Sequence, residues 1–381
     1  MRRSSSLDRM PGPRVSPFGV RRVSKKSSSS SSLVVQDVVE AEYSKDELKQ
    51  LNDAPGPSNG CRSCRSFSSF SSCRAYSIVE TYQTFPDLQQ RGIDYMRARL
   101  NAALHSDPQL ESTPEAMGDL RLLRFLRANH WDVATAASEY LDMLRWRRER
   151  RMDDVRNKIV VANHSFFCRG GSSLQAIYLH PAAERSQQLQ PRTFTVARGA
   201  GHTPLLDKHG NLLVIETPGT ADFGGIAELG VEQWSEAFVW HIELRVLLLD
   251  ELSRRSGRLV HTCSVIDFAE LNLKVASGMG TKAEKEGFKA WAAVAKSVSH
   301  AYPDTTYRNY VLNAPGGFFV SQIIMALAPK RSAKKFVMLG GEGDAVNAKL
   351  AEDVSASQLP RHLGGNLDDA GQWDQLRAKK R

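Results

Sequence analysis

Three sets of residues in this sequence have types and spacings that could carry chemistry. Cys61, Cys64 and Cys73 form a CxxC with a third thiol close by. Tetrahedral zinc needs a fourth ligand, and no neighbouring histidine supplies one, so a structural zinc site is not expected. The same cysteines lie among Arg62, Arg65, Arg74, Phe67 and Phe70, surroundings that suit reversible acylation as well as thiols with no role. Gly341, Glu342 and Gly343 follow an expected strand and precede an expected helix, as a dinucleotide-binding turn would. The third small position is Val346, however, and the turn comes late in the sheet region, so it reads as an ordinary turn. Asp267 closes another expected strand, a place where α/β enzymes put catalytic groups. With no histidine or metal ligand at a recognisable spacing, it reads as a turn cap. No GxSxG, GxxxxGK[ST] or HExxH occurs, so hydrolase, phosphate-loop and zinc-protease chemistry have no carrier. Neither an enzyme, nor a metal, nor a cofactor is expected.

The elements that would position a site fall into distinct stretches. Residues 1–78 are Arg/Ser-rich, with an unbroken serine run over 27–32, and are expected to be disordered because they cannot bury enough apolar surface to offset the entropy of ordering. Over 86–157 the pattern is helical. Leu120, Leu123 and Leu126 make one stripe, interleaved with Arg121, Arg124 and Arg127; Val133, Ala136, Tyr140, Leu141 and Leu144 make a second, entered at Asp132 as the N-cap. The charged run 145–151 is expected to be a solvated helix end. Beyond about 205, short β-rich runs at 212–216, 259–266, 309–312 and 335–339 alternate with helical ones at 231–253, 281–300 and 317–328, which predicts a parallel sheet with crossover helices. The last of these helices carries Phe318, Phe319, Val320, Ile323, Ile324, Met325 and Leu327 with only Ser321 and Gln322 polar. A helix apolar on nearly all faces must be buried beneath another element or face an apolar ligand.

Composition narrows the classes further. The 381 residues are 41% hydrophobic and 24% charged, enough for one large domain or two small ones. No run of 18 apolar residues occurs, so contact with a membrane must be peripheral. Five cysteines, an odd number in a long chain, suggest no disulfide framework, and the first residues lack the apolar segment of a signal peptide. The net charge of +9 is a local property: Arg2, Arg3, Arg9, Arg14, Arg21, Arg22, Lys25 and Lys26 against Asp8 put +7 into the first 35 residues, leaving +2 for the rest. Nucleic-acid binding by the globular part is therefore not expected. The basic stretch reads as a contact for anionic lipid, as an organelle transit peptide, or as a solvated tail without a partner.

Six blocks then occur in a familiar order: LLRFLRANHWDVATAASEYLDMLRWR, the turn Asp207 to Gly210 before LLVIE, RLVHTCSVIDF, AYPDTTYRNYVLNAP, KKFVMLG and LPRHLGG. They resemble the CRAL-TRIO family, and within it the yeast-type phosphatidylinositol/phosphatidylcholine transfer proteins. The match covers about 120–365, poorly over 160–204. The resemblance implies an α/β fold in which a small helical N-terminal lobe (86–157) packs on an α/β lobe (158–366). A mainly parallel sheet would floor an apolar lipid cavity closed by a gate helix, followed by a C-terminal tail (367–381). Phe318, Phe319, Val320, Ile323, Ile324 and Leu327 would belong to that gate. The implied activity is binding and transfer or presentation of a phospholipid, without covalent chemistry, at the cytoplasmic face of membranes and peripheral to them. The ligand class could also be a sterol, tocopherol or retinoid, and the module could sense lipid and recruit a protein partner.

Headgroup positions follow from the same resemblance. Thr262 and Ser264 match two hydroxyl residues that contact the phosphate side of phosphatidylcholine, while the family's tyrosine on the preceding strand is Val214 here. For phosphatidylinositol, Asp304 matches an acid after the Tyr-Pro junction, Lys335 a lysine opening the last strand, and Ser332 a neighbouring hydroxyl. A carboxylate accepts bonds from inositol hydroxyls, and the lysine and hydroxyl serve phosphate. The family's Arg-Lys pair in the helical lobe reads Asn129-His130, which removes a fixed positive charge.

Overall fold

The computed structural model describes residues 44, 46–49, 87–314, 334–340, 344–368 and 372–373. The expected gate helix, Ser332, the turn at 341–343 and the cysteines at 61, 64 and 73 lie outside them.

The helical region opens with α1 (Asp87–Ser106), α2 (Asp119–Ala128) and α3 (Val133–Glu149). Helix α3 starts where expected: the Asp132 carboxylate accepts from Thr135 N at 3.0 Å, satisfying one of the orphan donors at the helix start. Helix α2 buries both kinds of side chain in its repeat, since Arg121 and Arg124 are as buried as Leu122 and Phe125. Helix α4 (Met152–Ala162) runs across the boundary expected at 157/158. After α5 (His164–Arg169) and α6 (Ala183–Leu189) come β1 (Arg192–Thr193), β2 (Thr195–Arg198) and β3 (Gly201–Pro204).

The remainder alternates strands and helices, as the sequence predicts. Strand β4 (Leu212–Glu216) leads to α7 (Phe223–Leu229) and the long α8 (Val231–Ser256). Strand β5 (Thr262–Asp267) precedes α9 (Lys282–Ser299), followed by β6 (Thr306–Leu312), β7 (Phe336–Leu339) and α10 (Asp344–Asp353). Two boundaries differ from expectation. β5 begins at Thr262, because Leu259 and Val260 lead out of α8 and pack in the helical core; β6 begins three residues early, at Thr306, where pairing with Thr262 starts. Helix α9 is entered through a capping box, Thr281 and Glu284 each serving the other's backbone N–H. Gly287 in α9 crosses α7 so closely that a Cβ would sit 1.8 Å from Phe223 O; only glycine fits that crossing.

The five-stranded sheet has the order β1-β4-β5-β6-β7, with β1 antiparallel and the other neighbours parallel; β2 and β3 form a separate antiparallel pair. This is the mainly parallel α/β fold. Side-chain alternation divides the sheet cleanly. Leu212 and Val214 join the core built with the helical region, whereas Leu213, Ile215, Cys263, Val265 and Tyr310 join a second core with Leu350, Leu363 and Trp373. Among the described residues, no helix is long and apolar enough to cross a membrane.

Candidate functional site

The residues immediately before β5, β6 and β7 meet at the N-terminal edge of the sheet, against the last turn of α2. His261 precedes β5, Asp304 sits in the turn before β6, and Lys335 immediately precedes β7. Asp304 has a left-handed backbone, φ 48°, which an aspartate tolerates better than most residues. Its carboxylate collects three partners. Lys335 Nζ donates to Oδ1 at 3.1 Å, Arg127 Nε to Oδ2 at 2.9 Å, and His261 Nε2 lies 3.5 Å from Oδ2. Its main-chain carbonyl accepts from Arg124 Nη1 at 2.9 Å, and the other arm of Arg124 donates to Val260 O at 2.8 Å. Lys335 also donates to Thr306 O at 2.5 Å. One acid therefore ties α2 to the starts of three strands.

Two of the residues expected at an inositol headgroup, Asp304 and Lys335, are thus neighbours, and they hold each other. Thr262 joins them through the backbone, its hydroxyl donating to Thr305 O at 3.1 Å. Sequence reasoning left that hydroxyl free to donate to a ligand; here its proton is committed and its lone pairs remain. Ser264 lies two residues further on, hence on the same face, in register with Val214 on one side and Asn309 on the other. The next row across that face is apolar from β5 to β7, where Ile266, Val311 and Met338 are in register, with Glu216 beside Ile266 on β4, and Met338 is 40% exposed. Asn129, which stands where the family has a cation, caps α2 and donates to Phe125 O and to Glu139.

The electrostatics favour an anion. Burial pushes the Asp304 carboxyl up, but the hydrogen bond from His261 and the charges of Lys335 and Arg127 outweigh it and hold it well below the usual carboxylate range. Burial, opposed only in part by Asp304, pushes His261 down, so it is neutral at pH 7. Among the described residues, Arg121, Arg124, Arg127 and Lys335 make their direct ion pairs with Asp250 and Asp304, and Glu243 attracts Arg121 from further off. Within these direct pairs the cations outnumber the carboxylates four to two. The most accessible of these cations are Arg127 and Lys335, at 26% and 30% side-chain exposure.

Arg124 and Arg127 are the site residues that sequence reasoning missed. Their signal was the spacing of three between Arg121, Arg124 and Arg127, which places all three along one side of a helix. The solvated reading of 145–151 holds for most of the run and fails at Arg147. Arg147 is 1% exposed and bound to Glu243 at 3.0 Å, although its neighbours Arg145, Arg148 and Arg151 are open to solvent. Asp267 is the cap it was expected to be, accepting from Ala269 N and Asn313 Nδ2 at 2.9 and 2.8 Å.

Residues 199–365, the α/β region carrying β5 to β7 and the polar cluster at their starts, match the family model of the CRAL/TRIO domain. The chain is thus similar to CRAL-TRIO lipid-binding proteins and, within them, to yeast Sec14-type factors. It is 24% identical over 298 residues to the Sec14 cytosolic factor of Schizosaccharomyces pombe, covering 75% of this chain and 87% of that protein. The SEC14 cytosolic factor of Candida glabrata is 22% identical over 317 residues, with 79% and 89% covered. The protein real-time of Drosophila melanogaster is 26% identical over 247 residues, which span 64% of this chain but 32% of the insect protein. The crystal structure of Sfh5 superposes with a TM-score of 0.42 at 16% identity, over 71% of this chain and 84% of that one.

Proposed function

We propose that this protein binds a phospholipid and transfers or presents it at membranes, with phosphatidylinositol as the preferred ligand. The observation that carries the reading is the excess of cations around Asp304, where the region that resembles the CRAL/TRIO domain meets the arginines of α2. A phosphodiester would take the exposed sides of Lys335 and Arg127, whose donors are not exhausted by Asp304. Arg127 replaces the charge that Asn129 and His130 lack. Ser264 and the lone pairs of Thr262 offer hydrogen bonds on the same side of the sheet. No covalent step is needed. Burying two acyl chains is worth on the order of 20 kcal/mol at about 0.8 kcal/mol per CH₂, but a bilayer offers the chains the same environment, so exchange is nearly balanced and reversible. The +7 carried by residues 1–35 suits peripheral contact with an anionic, cytoplasmic leaflet.

The test is native mass spectrometry with lipid extraction, after the full-length protein is incubated with mixed phosphatidylinositol and phosphatidylcholine vesicles. Phosphatidylinositol should be retained, and Lys335→Ala should lower its retention about tenfold, the worth of one charge-assisted hydrogen bond. Phosphatidylcholine retention should barely change. Equal loss of both lipids would make Lys335 a purely structural residue. Recovery of an isoprenoid with no phospholipid would overturn the phospholipid reading itself.

A further inference from the structure

A second cationic centre lies at the opposite edge of the sheet, under β1, in the stretch where the resemblance is poorest. Arg192 is 2% exposed. Only its Nη2 has a partner, donating to Ser186 Oγ at 2.8 Å; Nε and Nη1 meet no acceptor. The rings of Phe238 and Trp234 lie 4.7 and 5.9 Å from its guanidinium carbon and offer π-faces that soften the cost of burial without accepting the remaining N–H bonds. The carboxylate that should neutralise it is Glu216, its register partner across the β1–β4 pair. Glu216 instead binds Arg245, at 3.2 Å. A buried and a half-buried guanidinium group therefore share one carboxylate, and a whole positive charge is left over.

A second unpartnered group faces the same space. His241 on α8 is half-buried, its Nε2 is shut off from solvent without a hydrogen-bond partner, and desolvation together with Arg192 and Arg245 keeps the ring neutral. Arg192 and His241 line a common cavity of about 20 Å³, with Tyr178, His180 and Trp240 towards its mouth. One water needs about 10–15 Å³, so the cavity takes one small body and is far too small for a lipid headgroup. The charged groups at the mouth are already engaged, Glu236 with His180 at 3.3 Å and Lys158 over the Trp240 ring. Burial lowers the Arg192 pKa to about 10, which leaves the guanidinium charged at neutral pH. Water could satisfy its N–H groups but would leave the charge uncompensated in a medium where that costs several kcal/mol.

We propose that this cavity is a binding site for a small monovalent anion, of chloride or formate size, held by Arg192 Nε and Nη1 and by the Nε2–H tautomer of His241. Bound there, the anion completes the charge balance that Glu216 cannot and fastens the edge strand β1 to α8. The inference is independent of which lipid the protein carries.

The test is thermal unfolding of the full-length protein at constant ionic strength, as sodium gluconate is replaced stepwise by sodium chloride, bromide or formate. Gluconate is too large for the cavity. The melting temperature should rise saturably with the small anions, and the rise should vanish in Arg192→Met. Should that variant not fold, His241→Phe keeps the packing, removes one donor and should weaken the anion dependence severalfold. A response to formate and not to the halides assigns the site to carboxylates; a response to both assigns it to small anions generally. No difference from gluconate would show that water fills the cavity and would overturn the proposal. A response unchanged in both variants would overturn it equally, by placing the ion elsewhere.

Discussion

The cluster around Glu243 and the cluster around Asp304 are built from the same materials, yet only one has capacity to spare. Glu243 on α8 accepts two bonds from Arg147, at 3.0 and 3.2 Å, and one from the Tyr302 hydroxyl at 2.5 Å. Both ends of the ion pair are 1% exposed, and Asp153 takes a further arm of Arg147. The buried guanidinium has a buried carboxylate of its own, and Asp153 adds a second from the surface. At Asp304 the acid is comparably enclosed, but Arg127 and Lys335 reach the surface and the cations outnumber the acids. A saturated buried network specifies packing, whereas a partly open and unbalanced one can accept a ligand. Sequence alone does not separate them, since each pairs an acid with arginine from a distant helix.

The sharpest way to break this comparison is Glu243→Gln. It removes the buried counter-charge of a fully buried arginine, leaving it only the part-exposed Asp153, and gives the Tyr302 hydroxyl a weaker acceptor, so unfolding free energy in urea should fall by about 3 kcal/mol. A loss below about 1 kcal/mol would mean that water reaches Arg147, and that the two clusters do not differ as described.

Acid should strain the open cluster next. The Asp304 carboxyl is held below its ordinary value, so its stabilisation is present above the unfolded pKa, about 3.9, and is lost as pH falls below that. His261 is also pushed down. The unfolded chain takes up its proton near the ordinary value of about 6.5 while the folded chain refuses it, so stability declines as pH falls from there. The two signs agree and the windows are separate. Urea unfolding between pH 8 and pH 5 should show a decline that His261→Asn reduces. It should not abolish the decline, because His241, also pushed down, contributes in the same direction. An identical profile in the variant would exclude His261 as the sensor.

Much of this fold is legible in the sequence, for a physical reason. The strands β4 to β7 are short apolar or β-branched runs between long amphipathic helices, and Asp132, Thr281 and Glu284 mark helix starts by chemistry that acts locally. Strands β1 to β3 were illegible. They are two to four residues long, and β1 is mostly polar because Arg192 and Thr193 owe their burial to tertiary contacts with Ser186, Phe238 and β4. The site divides in the same way. Asp304, Lys335 and Thr262 were found by position along the chain. Arg124 and Arg127 were not, because their partners lie some 130 to 180 residues away, and no local pattern tells a cation that binds a distant turn from one that faces water.

The smallest expected effect is the most discriminating. Lys335→Met retains much of the apolar stem and removes one of three partners from Asp304, while Arg127 and His261 still hold the other carboxylate oxygen. The lysine is 30% exposed, so its ion pair is partly screened, and the variant should lose no more than about 1 kcal/mol of stability. If the open cluster is a ligand site, that small loss should accompany a large drop in phosphatidylinositol retention. The ratio of the two effects then separates the clusters: Glu243→Gln should unfold the protein more than it alters lipid choice, and Lys335→Met should do the reverse. A stability loss in Lys335→Met as large as that of Glu243→Gln would erase the distinction, because it would show the Asp304 cluster to be as closed and as structural as the one inside the helical core.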